Sequence, residues 1–424
     1  MKQLIQICLC TFLLCNNTYG KIFSTNITLQ QLQKPLATLV STNGVKASNK
    51  IHDTNAILKL VPHAIRLKKG NFFKLNIPVG YKINIAAEGL KRLRFLAKSP
   101  DGKLFATDMY DRNDNHKGKI LLFDKWNEKE KKFDSIITFL DKLHNPNQVA
   151  FYKGYIYVAE TDKLSRYAYK MGDVKPSSIA QVIAQFPAYG LGYKYGGWHL
   201  TRSLAFDNDK LYVSIGSSCN ACIEKEEIRA CIVEMDPDGG NKKIFAKGLR
   251  NAVGIKWINH QLWVTNMGRD LLGPDRPEDL LQIIERAGFY GWPFYYQYQQ
   301  KIYADKSFID SAKDSYVKKP PLAWGGFKAH SAPLGFEYME NFSDKALKNK
   351  LLVCLHGSTS VWRQRGNSIV MALGGNKYTA VVDGFLTGKR EKDRHGRPCD
   401  ILMHSQHSFF FTDDLNGVLY FVWK

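Results

Sequence analysis

A short apolar phrase recurs along the chain and limits the fold more than any other feature. It occurs as LRFLAKSPDGKLFATD (Leu93–Asp108), QVAFYKGYIYVAET (Gln148–Thr161), SLAFDNDKLYVSIG (Ser203–Gly216), GIKWINHQLWVTNM (Gly254–Met267) and DILMHSQHSFFFTDD (Asp400–Asp414). Each copy is two runs rich in Val, Ile, Phe and Tyr around a tight polar turn, which is the pattern of a β-hairpin. The first four copies begin about 51–55 residues apart, the spacing of propeller blades rather than of helical repeats. A looser copy, KLLVCLHGSTS at Lys350–Ser360, fills the gap before the last. Six units imply an all-β chain: a six-bladed β-propeller of four-stranded blades over residues 61–424, closed on itself so that sheet edges are covered. The fold alone does not define an activity, because propellers host enzymes, receptors and scaffolds alike.

The N-terminal MKQLIQICLCTFLLCNNTYG has a lysine, an apolar run and small or polar residues near its end. It reads as a secretory signal peptide over residues 1–20, which predicts a periplasmic or secreted protein. Lipid anchoring through Cys15 is the alternative, disfavoured because Leu14 stands where a small residue is needed. Residues 21–60 are polar and aromatic-poor, as expected of an arm or linker. No later segment is long and apolar enough to be a transmembrane helix. The net charge of +21 favours anionic partners: anionic lipid, polyanionic glycan, a small polycarboxylate or nucleic acid. The lysines are scattered and no nucleic-acid module is present, so nucleic acid is not the expected partner.

Five cysteines follow the leader: Cys219 and Cys222 in a CxxC, then Cys231, Cys354 and Cys399. One CxxC without a second pair is not a zinc ribbon, and Ile223 rules out a haem-attachment CxxCH. A disulfide stapling this loop suits an exported protein.

Polar motifs gather where the repeated strands begin and end. GGWHLTRSLAF (Gly196–Phe206) sets His199 and Arg202 before a strand, and GSSCNACIE (Gly216–Glu224) follows that hairpin. GLRNAVGIKW (Gly248–Trp257) sets Arg250 and Asn251 before the next strand. The segment from Thr265 to Phe294 carries TNMGRDLLGP and GFYGWPF, and the series ends with AHSAPLGF, containing His330, HGS at His356, and GRPCDI, containing Arg397.

In order, these phrases resemble the soluble quinoprotein sugar dehydrogenases, which use pyrroloquinoline quinone (PQQ), and are most similar to the L-sorbosone dehydrogenase-like branch; the resemblance runs from about Tyr81 to Lys424. It implies a six-bladed propeller, in agreement with the repeat count. It also implies a dehydrogenase that oxidises a sugar or related aldehyde or alcohol by hydride transfer to PQQ, with Ca²⁺ polarising the quinone and an unidentified electron acceptor. Carried over by position, His199 is the general base, for which a neutral imidazole is suited. Arg250 stands beside the reactive carbonyl, where a fixed charge stabilises a developing oxyanion. Asn251 is a cofactor hydrogen-bonder, and Arg397 holds a cofactor carboxylate by its fork geometry. His330 and His356 face the cofactor, with Arg202 or Lys328 completing a basic funnel. The backbone carbonyls of Gly268 and Arg269 are the Ca²⁺ ligands.

The chain departs from the family pattern at several of these places. Ser217 replaces the aspartate that orients the histidine in the glucose-oxidising branch, Asn147 replaces a histidine, and Trp198 is inserted in the GG-H spacing. Leu281 replaces a polar residue after Glu278–Asp279, which withdraws expected support from the metal loop. HGSTSVWRQRG also differs from the usual HGSWNR. These changes support an alternative: a secreted basic propeller that binds a polyanion or a protein with a degenerate cofactor pocket. A calcium-centred esterase or lactonase propeller is disfavoured, because no matching set of acidic and amide ligands is spread over the blades. Substrate choice is assigned to the loop Tyr295–Pro320.

Overall fold

The computed structural model describes residues 58–188, 199–313, 315–357 and 364–424. The expected leader, most of the expected arm, Trp198 and the altered stretch 358–363 lie outside these residues.

Six sheets form the blades of a propeller, as the repeats imply. The innermost strands are Leu93–Lys98, Gln148–Tyr152, Arg202–Asp207, Ala252–Ile258, Pro333–Tyr338 and Pro398–Ser405. In blades one to four and six, the recurring phrase supplies the two inner strands of the blade. Blade five differs from the expectation. Its inner strand, Pro333–Tyr338, is joined to Leu351–Leu355 by a twelve-residue connection instead of a tight turn. The loose copy at Lys350 therefore holds only the second strand of its hairpin.

Blade six takes its outer strand from the other end of the chain. Lys82–Ala87 pairs antiparallel with Val418–Trp423, closing the ring. The earlier hairpin, Leu60–Arg66 with Phe72–Pro78, belongs to no blade; it bridges to blade five through Asn76 and Asp383. Its inward residues Ile65, Phe73, Leu75 and Ile77 share a core with Val381, Val382 and Phe385. Apart from two three-residue 3-10 turns, the described residues contain no helix. None is therefore long and apolar enough to cross a membrane.

The blades pack face to face because their strands bury side chains on both sides. Phe105, Phe139 and Tyr169, with half-buried Phe151, fill one such junction with edge-on rings about 5 to 6 Å apart. A second device joins neighbouring blades near the axis. The threonine near the end of a second strand donates to a backbone carbonyl of the next blade: Thr107 to Asn147 (2.8 Å), Thr161 to Leu200 (2.8 Å), Thr265 to Leu334 (2.6 Å) and Thr412 to Arg94 (2.6 Å).

Candidate functional site

In an antiparallel hairpin, the start of the first strand and the end of the second share one edge. Around a ring of blades these edges meet on one face of the axis, and there a cavity of about 300 Å³ opens. Val253 and Leu334 line its depth, packed with buried Phe95 and Cys399. His199, Asn251, His356, Arg92, Arg94 and Arg112 supply its polar wall, and among the described residues no lining side chain is acidic.

His199 is held from two sides. Its backbone has φ of 52°, a left-handed value uncommon for residues that carry a side chain. Gly216 lies against it: a Cβ at that glycine would meet His199 Cβ at 2.6 Å and Asn251 Oδ1 at 2.8 Å. His199 Nδ1 lies 2.9 Å from the Ser217 carbonyl and 3.0 Å from its hydroxyl oxygen. A carbonyl oxygen only accepts, so Nδ1 carries the proton and Nε2 is the acceptor nitrogen of the neutral ring. Burial, reinforced by the nearby Arg250 charge, holds the imidazole pKa well below the ordinary histidine value. The position vacated by aspartate thus still orients the histidine, through the backbone and hydroxyl of Ser217.

Arg250 does not line the central cavity. It borders a smaller adjoining recess of about 40 Å³ with Gly268 and Arg269, walled in part by Tyr295, Tyr296 and Pro320 of the expected specificity loop. Its Nε donates to the Asn220 carbonyl (2.8 Å) and its Nη2 to Asn220 Oδ1 (2.9 Å), with Asp270 Oδ2 at 3.4 Å. Burial works against the Asp270 carboxylate. The hydrogen bond with His330 and the Arg250 charge outweigh it and keep the carboxyl pKa low. Asn251 donates through Nδ2 to Met267 Sδ at 3.4 Å and receives its place from Asn266, whose Oδ1 accepts the Asn251 amide.

Several expectations are corrected. Arg202 does not face the cavity: it is fully buried and spends its guanidinium on the carbonyls of His199, Thr201 and Pro187. It braces the backbone behind His199. Lys328 is exposed and outside the cavity lining. Arg397 lies behind His356, donating to the carbonyls of His356 and Gly357, and burial lowers its pKa to about 9. His330 is turned away from the cavity. Its Nε2 donates to the Gly273 carbonyl (3.1 Å) and its Nδ1 faces Asp270 (3.4 Å), which raises its pKa.

His356 does line the cavity. Its Nε2 donates to Asp414 Oδ1 at 2.8 Å, and burial, then the Arg397 charge, lowers its pKa to about 3, so it is a neutral donor. Asp414 also accepts Arg92 (2.8 Å) and Arg94 (2.7 Å) and stays ionised because these partners outweigh its burial. Asn147 fits the same network. Its Oδ1 accepts Arg94 Nε (2.9 Å) and its Nδ2 donates to Ser203 Oγ (2.9 Å).

The metal-loop expectation changes in one respect. Leu281 is a core residue of blade four, packed with Trp263 and Phe327. Support for the loop comes from Asp279, whose two carboxylate oxygens accept the amides of Gly268 and Ala332, each at 2.8 Å. Burial raises the Asp279 carboxyl to about 6. Among the described residues, one group of three ligand-type side chains lies close enough to share an ion: Cys219, Cys222 and Glu224. The two sulfurs are joined in a disulfide, as the CxxC suggested, so this group is not a metal centre.

The arginines at the mouth, Arg92, Arg94 and Arg112, were not marked by the motifs. A signal for Arg92 exists in the repeat: it sits just before the inner strand of blade one, as Arg397 does before that of blade six.

Comparison with known proteins agrees with this architecture. The sequence model of the "Glucose / Sorbosone dehydrogenase" family matches residues 158–367, the segment that carries the His199, CxxC and Arg250 phrases. The holo form of the pyranose dehydrogenase PQQ domain from Coprinopsis cinerea superposes with a TM-score of 0.68 at 14% identity, covering 85% of this chain and 98% of that one. The calcium structure of a Trichoderma reesei Carbohydrate-Active Enzymes Family AA12 protein gives 0.66 at 17% identity, with 82% and 96% covered. The PQQ-bound aldose sugar dehydrogenase from Streptomyces coelicolor gives 0.53 at 16% identity, with 82% and 99% covered. An uncharacterized protein of Borreliella burgdorferi (strain B31) is 27% identical over 370 residues, 82% of this chain and 90% of that protein. The resemblance to the glucose and sorbosone dehydrogenase family is borne out by this match, which supports an oxidoreductase at family level.

Proposed function

We propose that this propeller is an exported quinoprotein dehydrogenase that oxidises a sugar or related aldehyde or alcohol and passes the electrons to a separate acceptor. The observation that carries the proposal is the pairing of a base and an anion cradle in one cavity. His199 has Nδ1 committed to Ser217 and an uncharged ring, while three arginines surround the mouth. Arg92 and Arg94 share one carboxylate, Asp414, and Arg112 adds a third guanidinium to the lining, so the mouth carries net positive charge suited to a polycarboxylate. PQQ is such a molecule, and when bound it would supply the hydride-accepting quinone. Arg92, Arg94 and Arg112 would hold its carboxylates, with Asn251 and neutral His356 as further hydrogen-bonding groups. His199 Nε2 would take the substrate hydroxyl proton, and Arg250 would supply fixed positive charge nearby.

Ca²⁺ favours oxygen donors. The backbone carbonyls of Gly268 and Arg269 are the groups assigned to hold it, in a loop that Asp279 fixes by its two amide bonds. Two of the three departures behind the binding-protein alternative have a structural role that is compatible with the enzyme reading, because Ser217 orients His199 and Leu281 is a core residue; the third, the altered HGS stretch, lies outside the described residues.

The discriminating variant is His199→Ala. Loss of a general base lowers turnover by about 10²–10⁴-fold, while PQQ affinity measured by calorimetry stays within about threefold of the parent, by the same separation of binding from transition-state effects. Unchanged dye reduction in that variant would overturn the assignment of the base.

A further inference from the structure

The loop after the second strand of blade three touches both residues assigned to chemistry. Ser217 accepts from His199 Nδ1, its amide donates to the Arg250 carbonyl (2.8 Å), and its hydroxyl donates to the Cys219 carbonyl (2.7 Å). Ser218 donates from its amide and hydroxyl to Glu224, at 2.6 and 2.7 Å, closing the base of the loop. Between the two cysteines of the disulfide stands Asn220. Its carbonyl accepts Arg250 Nε (2.8 Å) and Trp292 Nε1 (3.3 Å). Its side-chain oxygen accepts Arg250 Nη2 (2.9 Å) and the Asp270 amide (2.8 Å), and its side-chain nitrogen donates to the Asp270 carbonyl (3.2 Å).

Arg250 therefore donates two of its hydrogen bonds to one residue. That residue's own backbone is confined within a four-residue disulfide ring. A guanidinium gripped through both a carbonyl and an amide oxygen is fixed in plane and direction, which a single ion pair with half-exposed Asp270 does not achieve. We propose that Asn220 is the positioning residue for Arg250 and that the Cys219–Cys222 disulfide is the clasp that keeps Asn220 in place. Reduction of the clasp loosens Arg250 while the propeller stays folded. The role follows from the contacts of Arg250 itself; its effect on turnover rests on the dehydrogenase reading given above.

The test uses the full-length folded protein with its disulfide intact and after treatment with a water-soluble phosphine. The phosphine transfers two electrons to the disulfide and ends as the phosphine oxide with oxygen from water, and the sulfurs take up two protons as thiols. Labelling of arginines by phenylglyoxal is then followed by peptide mass spectrometry, with Arg94 as the internal standard, since Asp414 and Asn147 hold it independently of the loop. Local opening predicts that the Arg250 labelling rate rises about tenfold relative to Arg94 on reduction. Asn220→Ala should give the same rise, and Asn220→Asp, which keeps both acceptor oxygens, should restore most of the protection. In the cofactor-loaded protein kcat should fall about 100-fold with KM little changed, as expected for a misplaced group. If Arg250 and Arg94 label in a fixed ratio before and after reduction, the proposal is overturned, whether both rise or neither does. The Cys219→Ser, Cys222→Ser double variant is an additional arm; if it does not fold, phosphine reduction of the parent decides alone. Increased Arg250 labelling without turnover in any form would leave the positioning role standing and remove the dehydrogenase reading.

Discussion

His199 combines a left-handed backbone, a close glycine neighbour and a burial that keeps the ring uncharged. The sign of the pH effect follows directly. A buried imidazole beside Arg250 gives up its proton at lower pH than a free one, so the base proposed here remains available below the ordinary histidine value of about 6.5. The kcat/KM profile is expected to stay level as pH falls through that value and to drop only further into acid. Arg250→Gln removes the second-largest cause of the shift and should move the acid limb upward. A limb centred at the ordinary value in the parent protein would contradict the account. His199, Asn251 and His356 were legible because they sit in distinctive phrases at strand ends, and all three line the cavity. Arg202 and Arg397 show where such reading of motifs runs out. Sequence shows that a cation stands at a strand start, but not that nearby backbone carbonyls have already taken its donors. Arg92 lies one residue before a repeated phrase and outside every polar motif, and its meaning appears only when the blades are compared.

At the level of single elements, period-two apolar patterning identified the inner hairpins of five blades. It failed in blade five, where a twelve-residue connection separates strands that pair normally in space. A threonine near the end of four of the five phrases is visible in the sequence, yet its function is not, because its partner belongs to a different repeat. Thr265 illustrates what it does: its hydroxyl donates to the Leu334 carbonyl in blade five while accepting the Gly254 amide of its own blade. Thr265→Val keeps the shape and leaves two buried backbone groups unsatisfied, which is expected to cost about 1–3 kcal/mol. Denaturant unfolding measures this directly, and a loss below about 0.5 kcal/mol, the usual range of surface changes, would show that the inter-blade latch carries no stability. The CxxC loop is an element of a different kind. Its sequence announced a staple, but only the folded chain shows that the stapled residue reaches Arg250.

For the whole molecule, the repeat period sufficed to give the ring and the number of blades. It did not give the closure, since the strand that completes blade six comes from Lys82–Ala87, far from its partner Val418–Trp423 in sequence. A chain that begins after Ala87 exposes the edge of that last strand and is expected to aggregate and to lose its cooperative melting transition. Retention of a native melting curve in that truncation would show that closure is dispensable. The charge of +21 is likewise a property of the whole chain, and the structure shows where part of it is concentrated, at the arginine-lined mouth. A mouth built for a polycarboxylate quinone should take up that quinone, and the measurement that decides it is calorimetric titration of the purified protein with PQQ in the presence of Ca²⁺. Binding is expected to be saturable, to weaken as salt rises and to be lost in the Arg92→Ala, Arg112→Ala double variant; absence of binding in the parent protein, with its melting transition intact, would rule out a quinone site at this mouth.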